Sequence, residues 1–220
     1  VGFFGFFESV NDQAVATALL NAAEQYLKDQ GLDTMRGPMN FSTNEECGIL
    51  VDGFDTPPVI MNTHNPRYYP ALIESCGYAK AKEMYAYCMA EGQITDRVME
   101  IGKKLEARMD VKFRKFDPKN FKAEVERFKI VYNQAWEDNW GFVPMTDAEI
   151  DVMAANLKMI VDPNLIFFAE NQQGEPVGFI LGLPDLNVLI KKINGRLFPF
   201  GIFTLLTQKK KINRARILAM

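Results

Sequence analysis

Val1-Gly2-Phe3-Phe4-Gly5-Phe6-Phe7, followed by Ser9-Val10-Asn11-Asp12, opens the chain as a buried strand running straight into a helix start. The unbroken apolar run has the pattern of a covered strand. The polar cluster behind it supplies the side-chain oxygens that satisfy the first amides of a helix. Val15, Leu19, Ala22, Ala23, Tyr26 and Leu27 then recur at helical spacing, and Gly31 stands where a C-terminal stop belongs. Thr34-Met35-Arg36-Gly37 reads as a short second strand. At the other end, Arg214-Ala215-Arg216-Ile217-Leu218-Ala219-Met220 is strand-like to its last residue. A hydrophobic strand at each terminus leaves edges that domains normally protect. The expectation is that the chain is the middle of a longer protein.

Composition narrows the class. The 220 residues suit one large domain or parts of two smaller ones, and 48% hydrophobic residues with 17 Phe suffice for real cores. A net charge of -3 supplies no global field for nucleic acid, so none is expected as a partner. Cys47, Cys76 and Cys88 lack CxxC spacing and His64 is the only histidine, so no metal site is expected and a reduced cytoplasmic setting is. The longest apolar stretches fall short of the roughly 20 residues that span a bilayer. The expected class is α/β, with a mixed α+β sheet.

From Pro38 to Pro66 the sequence is irregular and rich in Asn, Gly, Asp and Pro, a length of loop that is uncommon unless it carries function or hides short elements. Tyr68 to Cys76 predicts a helix, and Gly77-Tyr78 leads into a strand or strand pair ending at Met89. Thr95 through Met109 is a charged amphipathic helix with Val98, Ile101 and Leu105 on one side, suited to connect domains. A new unit begins with strand Val111-Lys112-Phe113-Arg114. Asp117-Pro118 opens a helix with the apolar stripe Phe121, Val125, Phe128, Tyr132 and Trp136, which assigns Trp136 to the core. Thr146-Asp147-Ala148-Glu149 is a capping box ahead of a further helix. Leu165 to Ala169 and Val177 to Leu181 form a hairpin around Asn171-Gln172-Gln173-Gly174.

Strand, helix, helix, hairpin and a strand at Arg214 resembles the first half of the GNAT acyltransferase fold. The element order from Gly2 onward resembles its complementary half. Gly37-Pro38-Met39-Asn40, Asn65-Pro66-Arg67-Tyr68-Tyr69 and Trp136-Glu137-Asp138-Asn139-Trp140-Gly141-Phe142 are similar to signatures of a tandem GNAT-like bacterial family. The resemblance implies that 1–91 is the C-terminal part of a degenerate GNAT-like domain and 92–109 a linker helix. It further implies that 110–220 is the N-terminal part of a second such domain, ending before its CoA loop.

The superfamily's CoA signature, Arg/Gln-x-x-Gly-x-Gly/Ala, aims backbone amides at phosphate and needs small residues for close approach. The corresponding cofactor-binding positions are Asn11, Ala14 and Ala16. Ala16 fits, Ala14 replaces the first glycine, and Asn11 replaces the Arg or Gln. The Asp12 carboxylate competes with phosphate for the same amides. The other reading of this turn is an ordinary capped helix. The family's general-acid tyrosine precedes a Gly-Phe pair by four residues; Gly77-Tyr78 matches the pair, but Ile73 holds the acid's position and cannot donate a proton. The main acyl-CoA site is therefore expected after Met220.

Two segments are candidates to bind an amine or amide acceptor. Glu137, Asn139 and Trp140 form a polar-aromatic corner between two helices; a helix end closed by Gly141 is the alternative. Asn40, Ser42, Asn44, Glu45 and Asn62 concentrate donors and acceptors in the long loop, although Asn also builds turns on its own backbone. Glu170 is either a base by type or a solvated turn carboxylate, and His64 reads as structural. Between Leu186 and Met220 stand eight Lys or Arg and no acid, interleaved with Leu197-Phe198-Pro199-Phe200 and Ile202-Phe203. This stretch could line an acyl pocket, attract CoA phosphates, or touch an anionic membrane surface through 186–216. Alternatively it is a buried helical excursion with Lys209-Lys210-Lys211 at its C-terminus.

The resemblance implies that the parent protein is an acyl-CoA-dependent N-acyltransferase of which this chain alone is inactive. A non-catalytic binding or scaffold protein on a decayed acyltransferase fold is the first alternative. A Fem-like aminoacyl transferase, disfavoured by the acidic balance, is the second.

Overall fold

A computed structural model describes residues 1–220 and has the mixed α+β class expected of the sequence. In chain order the elements are β1 (Gly2–Phe3), α1 (Gln13–Asp29), β2 (Met35–Arg36), α2 (Tyr69–Ser75), α3 (Asp96–Glu106), β3 (Lys112–Lys115), α4 (Phe121–Trp136), α5 (Asp147–Leu157), β4 (Ile166–Glu170), β5 (Pro176–Pro184), α6 (Asn187–Lys192), α7 (Gly201–Gln208) and β6 (Ala215–Ala219). They fall into two compact units. One comprises 1–81, 137–145 and 185–214; the other comprises 82–136, 146–184 and 215–220. No helix is long and apolar enough to cross a membrane.

In the first unit β1 and β2 pair in parallel, Gly2 opposite Met35, and α1 makes the crossover. Asp12 caps α1 by accepting the Ala14 amide at 2.8 Å, and Gly31 at φ +75° lets the Leu32 amide return to the Leu27 carbonyl at 2.9 Å. Phe4, Leu20 and Ile73 form the core, with Phe7, Ala23, Met35 and Tyr78 packed around them. The Gln13 side chain ties α1 to α2 through the Leu72 carbonyl, 3.1 Å away.

The second unit is an antiparallel sheet in the order β3-β4-β5-β6, with α4 packed on β5 and α5 against α4. Alternation along β4 buries Ile166 and Phe168, which lie opposite Leu181 and Phe179 of β5. Phe128 of α4 lies 4.6 Å from the Phe179 ring and stacks on Tyr132 at 5.0 Å, so the α4 stripe settles on β5. Trp136 continues the stack at 6.1 Å from Tyr132, and its buried indole N–H lacks an acceptor. The Thr146–Glu149 capping box forms as expected.

Three readings of the sequence are corrected. The strand expected to end at Met89 does not form: residues 79–110 are exposed throughout, and no neighbouring strand offers the run a ladder to join. The opening apolar run is not a buried strand to its end, since β1 stops at Phe3 and Phe6 is exposed; the α3 helix forms as expected, with its Val98, Ile101 and Leu105 side exposed. Glu170 is neither a solvated turn carboxylate nor a free base. It is buried and held by Arg114 Nε at 2.6 Å and Arg127 Nε at 3.3 Å. The same Arg114 reaches buried Glu124 at 2.8 Å and lies 5.1 Å from the Phe168 ring centre. The Glu124 hydrogen bond, foremost, and the Glu170 bond raise the Arg114 pKa against the opposing effect of burial.

Removing one partner of a buried pair leaves an uncompensated charge, whereas replacing the pair with apolar groups does not. Arg114→Met is therefore expected to lower stability by about 3 kcal/mol, read by denaturant unfolding. Adding Glu124→Leu should recover at least half of that loss. A single variant as stable as the parent would contradict this role for Arg114.

Candidate functional site

Beyond β1 the chain runs against Gly37-Pro38-Met39-Asn40. The Phe4 amide donates to the Arg36 carbonyl at 3.0 Å, and the Met39 amide donates to the Phe4 carbonyl at 2.7 Å. Two glycines permit this approach: a Cβ at Gly5 would stand 2.1 Å from the Met39 oxygen, and one at Gly37 would stand 2.4 Å from the Phe4 oxygen. The Asn40 side chain completes the join by accepting the Phe6 amide at 2.7 Å.

From there residues 38–48 fold back as a small hairpin. Met39 bridges Cys47, the Asn40 amide donates to the Glu46 carbonyl at 2.9 Å, and the Gly48 amide donates to the Pro38 carbonyl at 2.8 Å. Its tip engages the corner expected from sequence. Thr43 Oγ1 donates to the Gly141 carbonyl at 3.2 Å, and Asn44 Nδ2 donates to the Val143 carbonyl at 2.7 Å. Gly141, at φ +72°, makes the turn that presents both carbonyls. The two segments singled out separately in the sequence are thus neighbours in the first unit.

The result is a polar-aromatic surface. The Arg36 guanidinium sits 5.0 Å from the Trp140 ring centre. Phe6 and Phe41 meet edge to face at 5.2 Å, both exposed, at φ +51° and +73° respectively. A bulky residue in that region carries about 1–3 kcal/mol of strain, which concentrates at binding and active sites. Glu137 and Asn139 are exposed beside Trp140 in the chain. Asn40 and Asn44 spend their amides building the surface. Arg36, Phe6, Phe41 and Thr43 were not singled out from sequence. The only signal for them was their adjacency to Gly5, to Gly37 and to the Asn-rich loop.

The start of α1 is committed elsewhere. The Asp12 carboxylate accepts both the Ala14 and Val15 amides, at 2.8 and 3.4 Å, Ala16 is buried in packing, and Asn11 and Ala14 are exposed. In α2, Ile73 is core, and the tyrosines one turn earlier brace the turn after β1. Tyr68 donates to the Ser9 carbonyl at 2.9 Å; Tyr69 donates to Glu8 Oε2 at 2.6 Å and accepts the Ser9 amide. Asn65 pins Leu50 by accepting its amide at 2.6 Å. In the second unit an apolar cavity of about 60 Å³ lies among Phe121, Val125, Phe128, Ile150 and Phe168. That is under half of the roughly 150 Å³ that holds benzene, so it is a packing void and not a tunnel for a long chain.

No family model matches the chain, and no solved structure matches it. Two curated relatives align along nearly all of it. The Bacterial ceramide synthase of Caulobacter vibrioides (strain NA1000 / CB15N) is 39% identical over 221 residues, covering 98% of this chain and 56% of that protein. Protein YghO of Escherichia coli (strain K12) is 38% identical over 211 residues, covering 95% of this chain and 53% of that protein. The chain spans about half the length of the curated relatives it matches.

Burial, with the Glu8 hydrogen bond second, raises the Tyr69 pKa above its ordinary 10.0. The folded state thus favours the protonated phenol. The stability it contributes is fully present below pH 10.0 and is lost as pH rises through the raised value. Thermal melts between about pH 8 and 11 should show a steeper alkaline decline for the parent chain than for Tyr69→Phe. Superimposable declines would contradict the assignment.

Proposed function

We propose that this chain supplies the acceptor-binding side of an acyl-CoA-dependent N-acyltransferase whose acceptor is a long-chain amine. The observation that carries the reading is the meeting of the 38–48 hairpin with the 137–145 corner, which joins exposed aromatic faces to the segment that carries exposed Glu137 and Asn139. The name of the Caulobacter relative supports the chemistry, because a ceramide is the amide of a fatty acid and a long-chain amino alcohol. Parallel β1-α1-β2 and the antiparallel order β3-β4-β5-β6 support a GNAT-type arrangement.

In this reading the acceptor's alkyl stem lies along Phe6, Phe41 and the open part of Trp140, and Glu137 attracts its ammonium head. The ammonium first gives up one proton to water; the neutral amine then attacks the thioester carbonyl, the C–N bond forms, the C–S bond breaks, and a second proton from the nitrogen leaves with the thiol of CoA. Holding the two reactants together supplies much of the acceleration. With Asp12 filling the α1 amides, the CoA phosphates fall to another part of the protein.

The test is made in a protein of the relatives' length that carries this chain, given a palmitoyl thioester of CoA and sphinganine, with the amide read by mass spectrometry. Trp140→Ala should raise KM for the amine at least tenfold and leave KM for the thioester unchanged. No amide from any long-chain amine, or a loss confined to the thioester KM, would overturn the reading.

A further inference from the structure

The segment between β5 and β6 holds large apolar side chains in water. It forms α6, a connection over 193–200 and α7, and the two helices pack on each other. Gly201 is wedged so closely against the connection that a Cβ there would meet the Arg196 carbonyl at 2.1 Å and Ile193 at 3.2 Å. In a helix resting on a protein, the outward face is the polar one. In α7 Ile202, Thr204, Leu205 and Gln208 are half-buried, while apolar residues also stand on the outward face, Phe203 62% exposed and Leu206 73% exposed. These two lie three residues apart on one face. Immediately before them Phe198 is 75% exposed and Phe200 76% exposed.

Charge surrounds this apolar face. Between Leu186 and Arg214 there are seven Lys or Arg and no Asp or Glu. Arg214 is paired with Asp185, but Lys191, Lys192, Arg196, Lys210 and Lys211 are spent on no ion pair. Lys191 and Lys192 line an open depression of about 330 Å³ with Pro57 and Val188. We propose that the α6–α7 segment is a docking surface for an anionic lipid bilayer, with Phe198, Phe200, Phe203 and Leu206 entering the interface and the lysines meeting lipid phosphates.

The combination selects this occupant over others. A second copy joined through the same face would set like charges against each other. A soluble polyanion would satisfy the lysines and leave four large apolar side chains in water. A membrane surface satisfies both, and contact stays interfacial because no helix is long enough to cross. The surface is read from exposure and charge alone, and stands independently of the acyl transfer proposed above.

The 220-residue chain is sedimented with vesicles of phosphatidylcholine, or of phosphatidylcholine containing about 30% phosphatidylglycerol, at about 0.1 and 0.5 M salt. Binding is expected to the anionic vesicles, weakening with salt. Lys191→Glu, Lys192→Glu, Lys210→Glu and Lys211→Glu together should weaken it at least tenfold, as should Phe198→Ser with Phe200→Ser and Phe203→Ser. The salt and lipid comparisons use the parent chain and need no variant to fold. Absence of binding, equal binding to neutral vesicles, or variants that bind like the parent overturns the proposal. So does a concentration-dependent dimer that the phenylalanine substitutions abolish.

Discussion

Asp185, a carboxylate wholly removed from water, is the constraint on which the first unit is built. A buried charge is tolerated only when its lone pairs are filled. One oxygen accepts the Ile60 amide at 2.9 Å and the Asn187 amide at 3.2 Å, and the other takes the Arg214 guanidinium, with Nε at 2.7 Å. The Asp185 amide donates to the Arg214 carbonyl at 2.9 Å, so the two residues are joined through main chain and side chain alike. The excursion holding α6 and α7 closes on this knot, and the Pro58–Ile60 loop is drawn to it by Asn187 as well. Loss of either charge would open the base of the excursion and release the loop together.

With the base fixed, the unit can hold its outer surfaces in positions that local preference alone would not choose. Phe6 and Phe41 sit at positive φ with their rings in water, and α7 leaves Phe203 and Leu206 exposed. Neither arrangement serves the stability of an isolated unit. Both make sense as surfaces for apolar ligands, one a polar-aromatic corner suited to a single chain and the other a basic apolar face suited to a bilayer. A lipid-like acceptor would give one protein a use for both.

Local chemistry was readable, and contact across long separations was not. The Asp12 cap, the Thr146–Glu149 box, the Gly31 stop and the Asn171–Gly174 hairpin all follow from groups within a few residues of one another. The 38–48 hairpin and the 137–145 corner each drew notice for composition, but the bonds joining them span nearly 100 residues. Glu170 looked solvated because it borders a turn; Arg114 and Arg127, distant in sequence, change its setting. Asp185 follows a strand and precedes a helix, where an ordinary cap is the natural reading, and nothing nearby announces Arg214. The strand missing after Gly77 shows the converse, since extended propensity does not make a strand without a neighbour to pair with.

Photo-crosslinking shows whether a long-chain amine binds at the corner. A long-chain amine carrying a diazirine on its alkyl stem is irradiated with the chain, and the labelled peptides are mapped by mass spectrometry. Label is expected within 38–48 and 137–145, competed away by unmodified sphinganine and lost in Trp140→Ala. Competable label confined to the exposed stripe of α3, or label that sphinganine does not displace, would contradict binding at the corner.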